Sequence, residues 1–157
     1  MITRIPSRLE VMSTDTAAAP EDYLATGFVH VDARQQVAPF AACLTLLDNL
    51  PYFRAYKERS YELLELNAGQ SILEVGCGLG DDLRRMAQRL GDTGQLVGVD
   101  ASLALLEQAR SRLTDWPRIE WTHADARQLP FPADHFDLCR IDRTLQHIQH
   151  PEQVVAE

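Results

Sequence analysis

Between residues 74 and 82 the chain reads Glu74-Val75-Gly76-Cys77-Gly78-Leu79-Gly80-Asp81-Asp82. Glycines at alternate positions let a backbone turn tightly and approach a ligand without Cβ interference. A dinucleotide fingerprint needs G-x-G-x-x-G. Here Asp81 stands where its third glycine would fall, and the spacing is G-x-G-x-G. Asp81 and Asp82 also occupy the helix start that a pyrophosphate would claim. The loop therefore suits a ligand that is neutral or cationic close to it. Asp100 follows about twenty residues after the loop, the interval at which an acidic residue accepts hydrogen bonds from the ribose hydroxyls of an adenosine-type ligand.

Each residue also has a plainer use. Asp100 can cap a helix, Asp125 can close an Asx-turn, and Asp81 and Asp82 can complement a helix dipole. Cys77 is a small loop residue rather than a nucleophile. The common register of the loop, Asp100 and Asp125 is what favours a ligand. His147 is the candidate general base, since an unperturbed imidazole titrates near about pH 6.5; its alternative is a hydrogen-bonded structural histidine. His147 and His150 lack a third ligand and make a poor metal site.

These residues need a scaffold, and the pattern supplies one. Ser71–Val75 is a short apolar run ending in glycine, a first strand. Leu83, Met86, Ala87 and Leu90 recur at helical spacing before Gly91. Gln95–Val99 is a second strand, and Ser102 caps a helix carrying Leu103, Leu106, Ala109 and Leu113. Ile119–Thr122 and Phe136–Ile141 are a third and a fourth strand. Pro151 opens a last helix. Strands alternating with helices predict an α/β fold, a parallel sheet with helices on both faces. Ahead of it, 39–47 and the stretch from Pro51 in which Tyr52, Phe53, Tyr56, Ser60, Leu63 and Leu64 recur at helical spacing predict two helices, the second stopped by Asn67-Ala-Gly69.

The run Glu74-x-Gly76-x-Gly78-x-Gly80 with Asp100, His123-Ala-Asp125-Ala126, Leu129-Pro130-Phe131 and Phe136-Asp137-Leu138 resembles the class I S-adenosylmethionine-dependent methyltransferases. Within them it is most similar to the methyltransferase type 11 and ubiquinone/menaquinone C-methyltransferase-like group, over roughly residues 51–157. The resemblance implies a Rossmann-like domain, S-adenosyl-L-methionine as cofactor and a small-molecule acceptor. It implies that Gly76, Gly78 and Gly80 floor the methionine part of the cofactor, next to Asp81, and that Glu74 holds its ammonium through water. Asp100 would bind the ribose, Ala101 would pack on the adenine, Asp125 would accept from the adenine amino group, and the Ala126 N–H would bond a ring nitrogen. Arg140 would offer its backbone carbonyl to the ammonium. Tyr52, Tyr56 and Tyr61 would lie in covering helices, mainly as packing aromatics.

Lys and Arg total 15 against 23 Asp and Glu in 157 residues, a net charge of -8, which argues against a nucleic-acid surface. No run is apolar enough for a bilayer span. Three widely spaced cysteines, Cys43, Cys77 and Cys139, suggest a reducing, cytoplasmic compartment rather than a disulfide framework. The expected organisation is a flexible arm over 1–20, with Met12 as an alternative start, a helical cap over 21–69, and the cofactor domain over 70–157. Four strands are placed where the resembled family has seven, so the expectation is a C-terminally truncated member. Its fourth strand would be an exposed edge carrying Phe136, Leu138, Cys139 and Ile141, open to self-association. A truncated, inactive remnant that keeps a cofactor half-site is the alternative to an active methyltransferase.

Overall fold

The computed structural model describes residues 27–33 and 37–157. The arm expected over 1–20, the alternative start at Met12, and residues 21–26 and 34–36 of the cap lie outside the described residues.

Four parallel strands, β1 (Ser71–Val75), β2 (Gln95–Asp100), β3 (Ile119–His123) and β4 (Leu138–Ile141), form a sheet in the order β3-β2-β1-β4. The helices are α1 (Ala38–Asn49), α2 (Pro51–Leu63), α3 (Asp81–Leu90), α4 (Leu103–Arg112) and α5 (Pro151–Ala156). Leu50, held extended ahead of Pro51, separates α1 from α2. Helix α2 stops at Leu63, short of the expected stop, because Glu65 already takes a left-handed turn at φ 49°.

Alternation along the strands sorts the core into two layers. On one face Ile72 packs with Tyr61, Leu83, Met86, Leu90 and Leu106 from α2, α3 and α4. On the other, Leu73, Val75, Val97 and Val99 pack with Ala126, Leu129, Phe131, Phe136 and, from α5, Val154. Leu83, Met86, Ala87 and Leu90 all face inward, as their spacing requires. In α4 the stripe is rotated from expectation: Leu103 is exposed and Leu105 is buried, because Leu105 meets a further cluster built by Val31, Phe40 and Leu79.

Strand β4 begins two residues later than expected. Asp137 sits before it as a latch: its carboxylate accepts from the Ser71 N–H and hydroxyl at 2.7 and 2.8 Å. Among the described residues no strand pairs with the outer edge of β4. Phe136, Leu138 and Ile141 are only half-exposed because they pack into the two core layers, and Cys139 is the exposed side chain of the strand. No described helix is long and apolar enough to cross a membrane.

Candidate cofactor-binding site

Parallel strands deliver their C-terminal ends to one rim, and the loops after β1, β2, β3 and β4 meet there around a cleft of about 760 Å³. That volume suits a nucleoside-sized ligand. The glycine loop forms one wall. The Gly76 and Cys77 N–H groups both donate to Val99 O, at 2.7 and 3.0 Å, which folds the loop back over β2. Gly76 and Gly80 have φ of 73° and 75°, a region that costs other residues strain. A Cβ at Gly76 would collide with Thr144, and one at Gly80 with the Trp121 ring.

Asp100, at the tip of β2, accepts from Gly78 N–H at 2.8 Å through one oxygen and from Ser102 N–H at 2.9 Å through the other. A carboxylate has about four acceptor positions, so Asp100 keeps acceptor capacity for a ligand. Burial raises its pKa against these hydrogen bonds. The cap of α4 is Ser102, whose hydroxyl accepts from Leu105 N–H at 3.1 Å, so Asp100 is released from that plainer duty.

Asp125 shows the turn geometry and the cleft position together. Its Oδ1 accepts from the Arg127 N–H at 2.9 Å, closing an Asx-turn, and its carboxylate pairs with the Arg127 guanidinium at 2.6 Å, which lowers its pKa. Asp81 is likewise in the wall and paired, with Arg112 at 3.0 Å.

Glu74 lies under the loop, 3% exposed. Its Oε1 accepts from Arg140 at 2.5 Å, while Oε2, although buried, has no hydrogen-bond partner. Burial first, and the Asp82 charge second, push Glu74 up to about 8 against the pull of Arg140 and Lys57. Asp82 is held below its ordinary range despite burial, by Arg140 and by Lys57, and Tyr61 donates to it. Asp142 completes the cluster, accepting from Tyr56 at 2.8 Å and from Arg140 at 3.2 Å.

Glu74, Gly76, Gly78, Asp81, Asp100, Ala101, Asp125, Ala126 and His147 all line the cleft. Two expected residues do not. Gly80 is turned toward Trp121 and Leu113, serving the packing of α3 on β3 rather than the floor of the cleft. Arg140 is 6% exposed, and its guanidinium spans from β4 to Glu74 on β1 in place of lining the cleft. Tyr52, Tyr56 and Tyr61 also stay outside the lining; Tyr56 and Tyr61 instead bond the acidic cluster. His147 lies against Phe28, ring centroids 5.2 Å apart. Burial holds the Cys77 thiol well above its ordinary pKa, so it is no thiolate nucleophile. Among the described residues no cluster of His, Cys, Asp and Glu could hold a metal ion.

Sequence reasoning missed Lys57, Arg143 and Thr144, which also face the cleft. The Glu74–Arg140 pair, by contrast, left a signal in the sequence. Ser71-Ile-Leu-Glu-Val and Leu138-Cys-Arg-Ile each place one charge in an apolar strand, of opposite sign, and the strands pair so that Glu74 and Arg140 are in register.

A parallel sheet with a glycine loop after its first strand, and carboxylates at the ends of the next two, defines a Rossmann-like nucleoside-cofactor protein. A model of the methyltransferase domain matches residues 72–157. The chain is 34% identical over 105 residues to a ubiquinone/menaquinone biosynthesis C-methyltransferase of Pseudomonas savastanoi, covering 65% of this chain and 41% of that protein. It is 32% identical over 123 residues to a 2-phytyl-1,4-naphtoquinone methyltransferase of Thermosynechococcus vestitus, covering 78% and 55%. A solved S-adenosylmethionine-dependent methyltransferase from Aquifex aeolicus shares the fold with a TM-score of 0.59, at 19% identity, covering 64% of this chain and 55% of that one. The chain belongs to the class I S-adenosylmethionine-dependent methyltransferases, and S-adenosylmethionine is its cofactor. It spans about half the length, or less, of the two curated relatives. The residues fit that cofactor chemically: the unpartnered Glu74 Oε2 and the spare acceptor positions of Asp100 suit an ammonium and a ribose.

Proposed function

We propose that the cleft binds S-adenosylmethionine for methyl transfer to a small-molecule acceptor, with quinone-type compounds of the kind named for the two relatives as the first class to assay. The observation that carries this reading is Asp100, locked by backbone donors with acceptor capacity to spare, in the same cleft as the unpartnered Glu74 Oε2. When bound, the cofactor supplies a methyl group activated by its sulfonium. The chain's own contribution is positioning and water exclusion. Asp100 takes the ribose hydroxyls, Ala101 and Ala126 flank the adenine, and Asp125 offers its carboxylate to the adenine amino group while sharing it with Arg127. Glu74 faces the ammonium with its free oxygen, which gives up its proton as the cation binds. His147, in the segment after β4, is the proton acceptor for an acceptor hydroxyl.

The test is calorimetric titration of the 157-residue chain with S-adenosylmethionine and S-adenosylhomocysteine. Both bind, and Asp100→Ala weakens each by about 1–3 kcal/mol, the scale of hydrogen bonds to a charged group. Unchanged affinity in Asp100→Ala removes the ribose assignment, and a folded chain that binds neither compound removes the proposal.

A further inference from the structure

We propose that Arg143 is the receptor for an anionic oxygen on the acceptor substrate, a carboxylate or an ionised phenol or enol. The proposal rests on the reading of the cleft as a methyltransferase site and adds the charge of the molecule that enters it.

Three observations meet at this residue. Arg143 lines the cleft, and its Nε is buried without a hydrogen-bond partner. An arginine is always charged and has five donors arranged for planar oxyanions. Buried donors are normally satisfied, so an unspent one on a residue of the cleft wall points to a missing acceptor. Second, no carboxylate of the described chain pairs with it, although the protein carries a net charge of -8. The other Lys and Arg side chains of the cleft are taken: Lys57 by Asp82 and Arg127 by Asp125. Third, Arg143 has φ of 54°, a left-handed conformation that costs an arginine strain.

The surroundings hold it there. Asp142 is fixed by Tyr56 at 2.8 Å and by Arg140 at 3.2 Å. Thr144 donates from its hydroxyl to Val75 O at 3.3 Å and fits only because residue 76 is glycine. Between these anchors the Arg143 guanidinium lies over the Phe53 ring, 4.8 Å from its centroid. The ring face supports the cation without using any of its N–H donors. The donors are thus left unspent at the cleft wall. An anionic acceptor would also complement a cofactor that is itself cationic.

The test uses the 157-residue chain saturated with S-adenosylhomocysteine and two matched probe pairs, 2-naphthoate with 2-naphthamide and 4-nitrophenolate with nitrobenzene. In at least one pair the anion binds about ten-fold or more tightly than its neutral partner, as expected for charge-assisted hydrogen bonds. The pair that shows the preference separates a carboxylate from an ionised phenol. Arg143→Asn, neutral and tolerant of the left-handed backbone, abolishes the preference and leaves neutral-probe affinity and S-adenosylhomocysteine affinity unchanged; Arg143→Lys keeps part of it. Equal binding within both pairs, a preference that survives in Arg143→Asn, or no binding of any probe overturns the proposal. A melting temperature lowered in Arg143→Asn with the preference intact would make Arg143 a packing residue and overturn it too. Failure to bind S-adenosylhomocysteine overturns the underlying reading instead.

Discussion

Glu74 and Asp100 stand near the ends of neighbouring strands, and burial pushes both upward, yet they are held by opposite means. Asp100 is fixed by backbone N–H groups of the loops it joins. Glu74 is fixed by one side chain, Arg140, which also reaches Asp82 at 3.3 Å and Asp142 at 3.2 Å. The backbone version costs no side-chain ordering and survives most substitutions around it. The side-chain version ties the cleft to α2, α3 and β4 at once, so a single change is felt throughout it.

The largest expected effect breaks the side-chain version. Arg140→Ala leaves Glu74 and Asp82 buried without their main cation and lowers stability by about 3–5 kcal/mol, read from denaturant midpoints. Arg140→Met combined with Glu74→Leu recovers much of that loss; a loss in the double variant as large as in Arg140→Ala would mean that the guanidinium is needed for Asp82 and Asp142 rather than for Glu74.

Asp100→Ala sharpens the contrast from the other side. The 1–3 kcal/mol expected above for cofactor affinity comes with a stability loss of only about 1–2 kcal/mol, the worth of its two backbone hydrogen bonds. A larger loss of stability than of affinity would show that the β2 end is scaffold and not site.

A smaller effect separates the two acids by pH. The ordinary pKa of Glu74 is 4.5, and the fold raises it to about 8. Between those values the folded chain keeps a proton that the unfolded chain has released, so this group favours folding at the acidic end and stability falls as pH rises toward 8. Glu74→Gln removes the titration and flattens the decline in melting temperature between about pH 5 and about pH 8. Asp82, held low, acts in the opposite sense and further down: the stability it contributes is lost as pH falls below the ordinary carboxylate range. An unchanged slope in Glu74→Gln would place the proton elsewhere in the cluster.

The smallest effect concerns β4, the strand that carries Arg140. On its own the 157-residue chain is expected to self-associate along the outer edge of β4. Cys139→Lys, a charge on the exposed side chain of that edge, reduces association in light scattering and changes stability by no more than about 0.5 kcal/mol. A wild-type chain that stays monomeric would remove this expectation.

The β2 end was legible because it is local. The glycine loop and the Asp100–Ser102 turn belong to two successive strand–loop–helix units, with Gly78 and Asp100 only 22 positions apart, and their spacing constrains their geometry. The side-chain cluster was not, because it joins Tyr56, Lys57 and Tyr61 to Asp82, Arg140 and Asp142, residues as far apart as 86 positions in the chain. For Arg140 the family resemblance directed attention to its backbone carbonyl, whereas its side chain proves to be the centre of the buried cluster. For Gly80 the resemblance implies a place in the floor, whereas a Cβ there would point at Trp121 and Leu113; a motif match does not say which way a turn faces. In α4 the sequence Leu103-Ala-Leu105-Leu106 fits two stripes, and the cluster contributed by Val31 and Phe40 decides between them.

The contact of Gly80 with the Trp121 ring has a practical consequence. The chain has two tryptophans, and one of them rests on the glycine that ends the ligand loop. The second, Trp116, packs at the opposite end of the sheet, beside Leu90 and Ile119. Indole emission responds to the polarity and rigidity around it, so Trp121 serves as a built-in optical gauge of loop ordering and Trp116 as its internal reference. Replacing Trp116 with phenylalanine would leave Trp121 alone to time the arrival of a ligand by stopped-flow fluorescence without any label, and replacing Trp121 would supply the silent control.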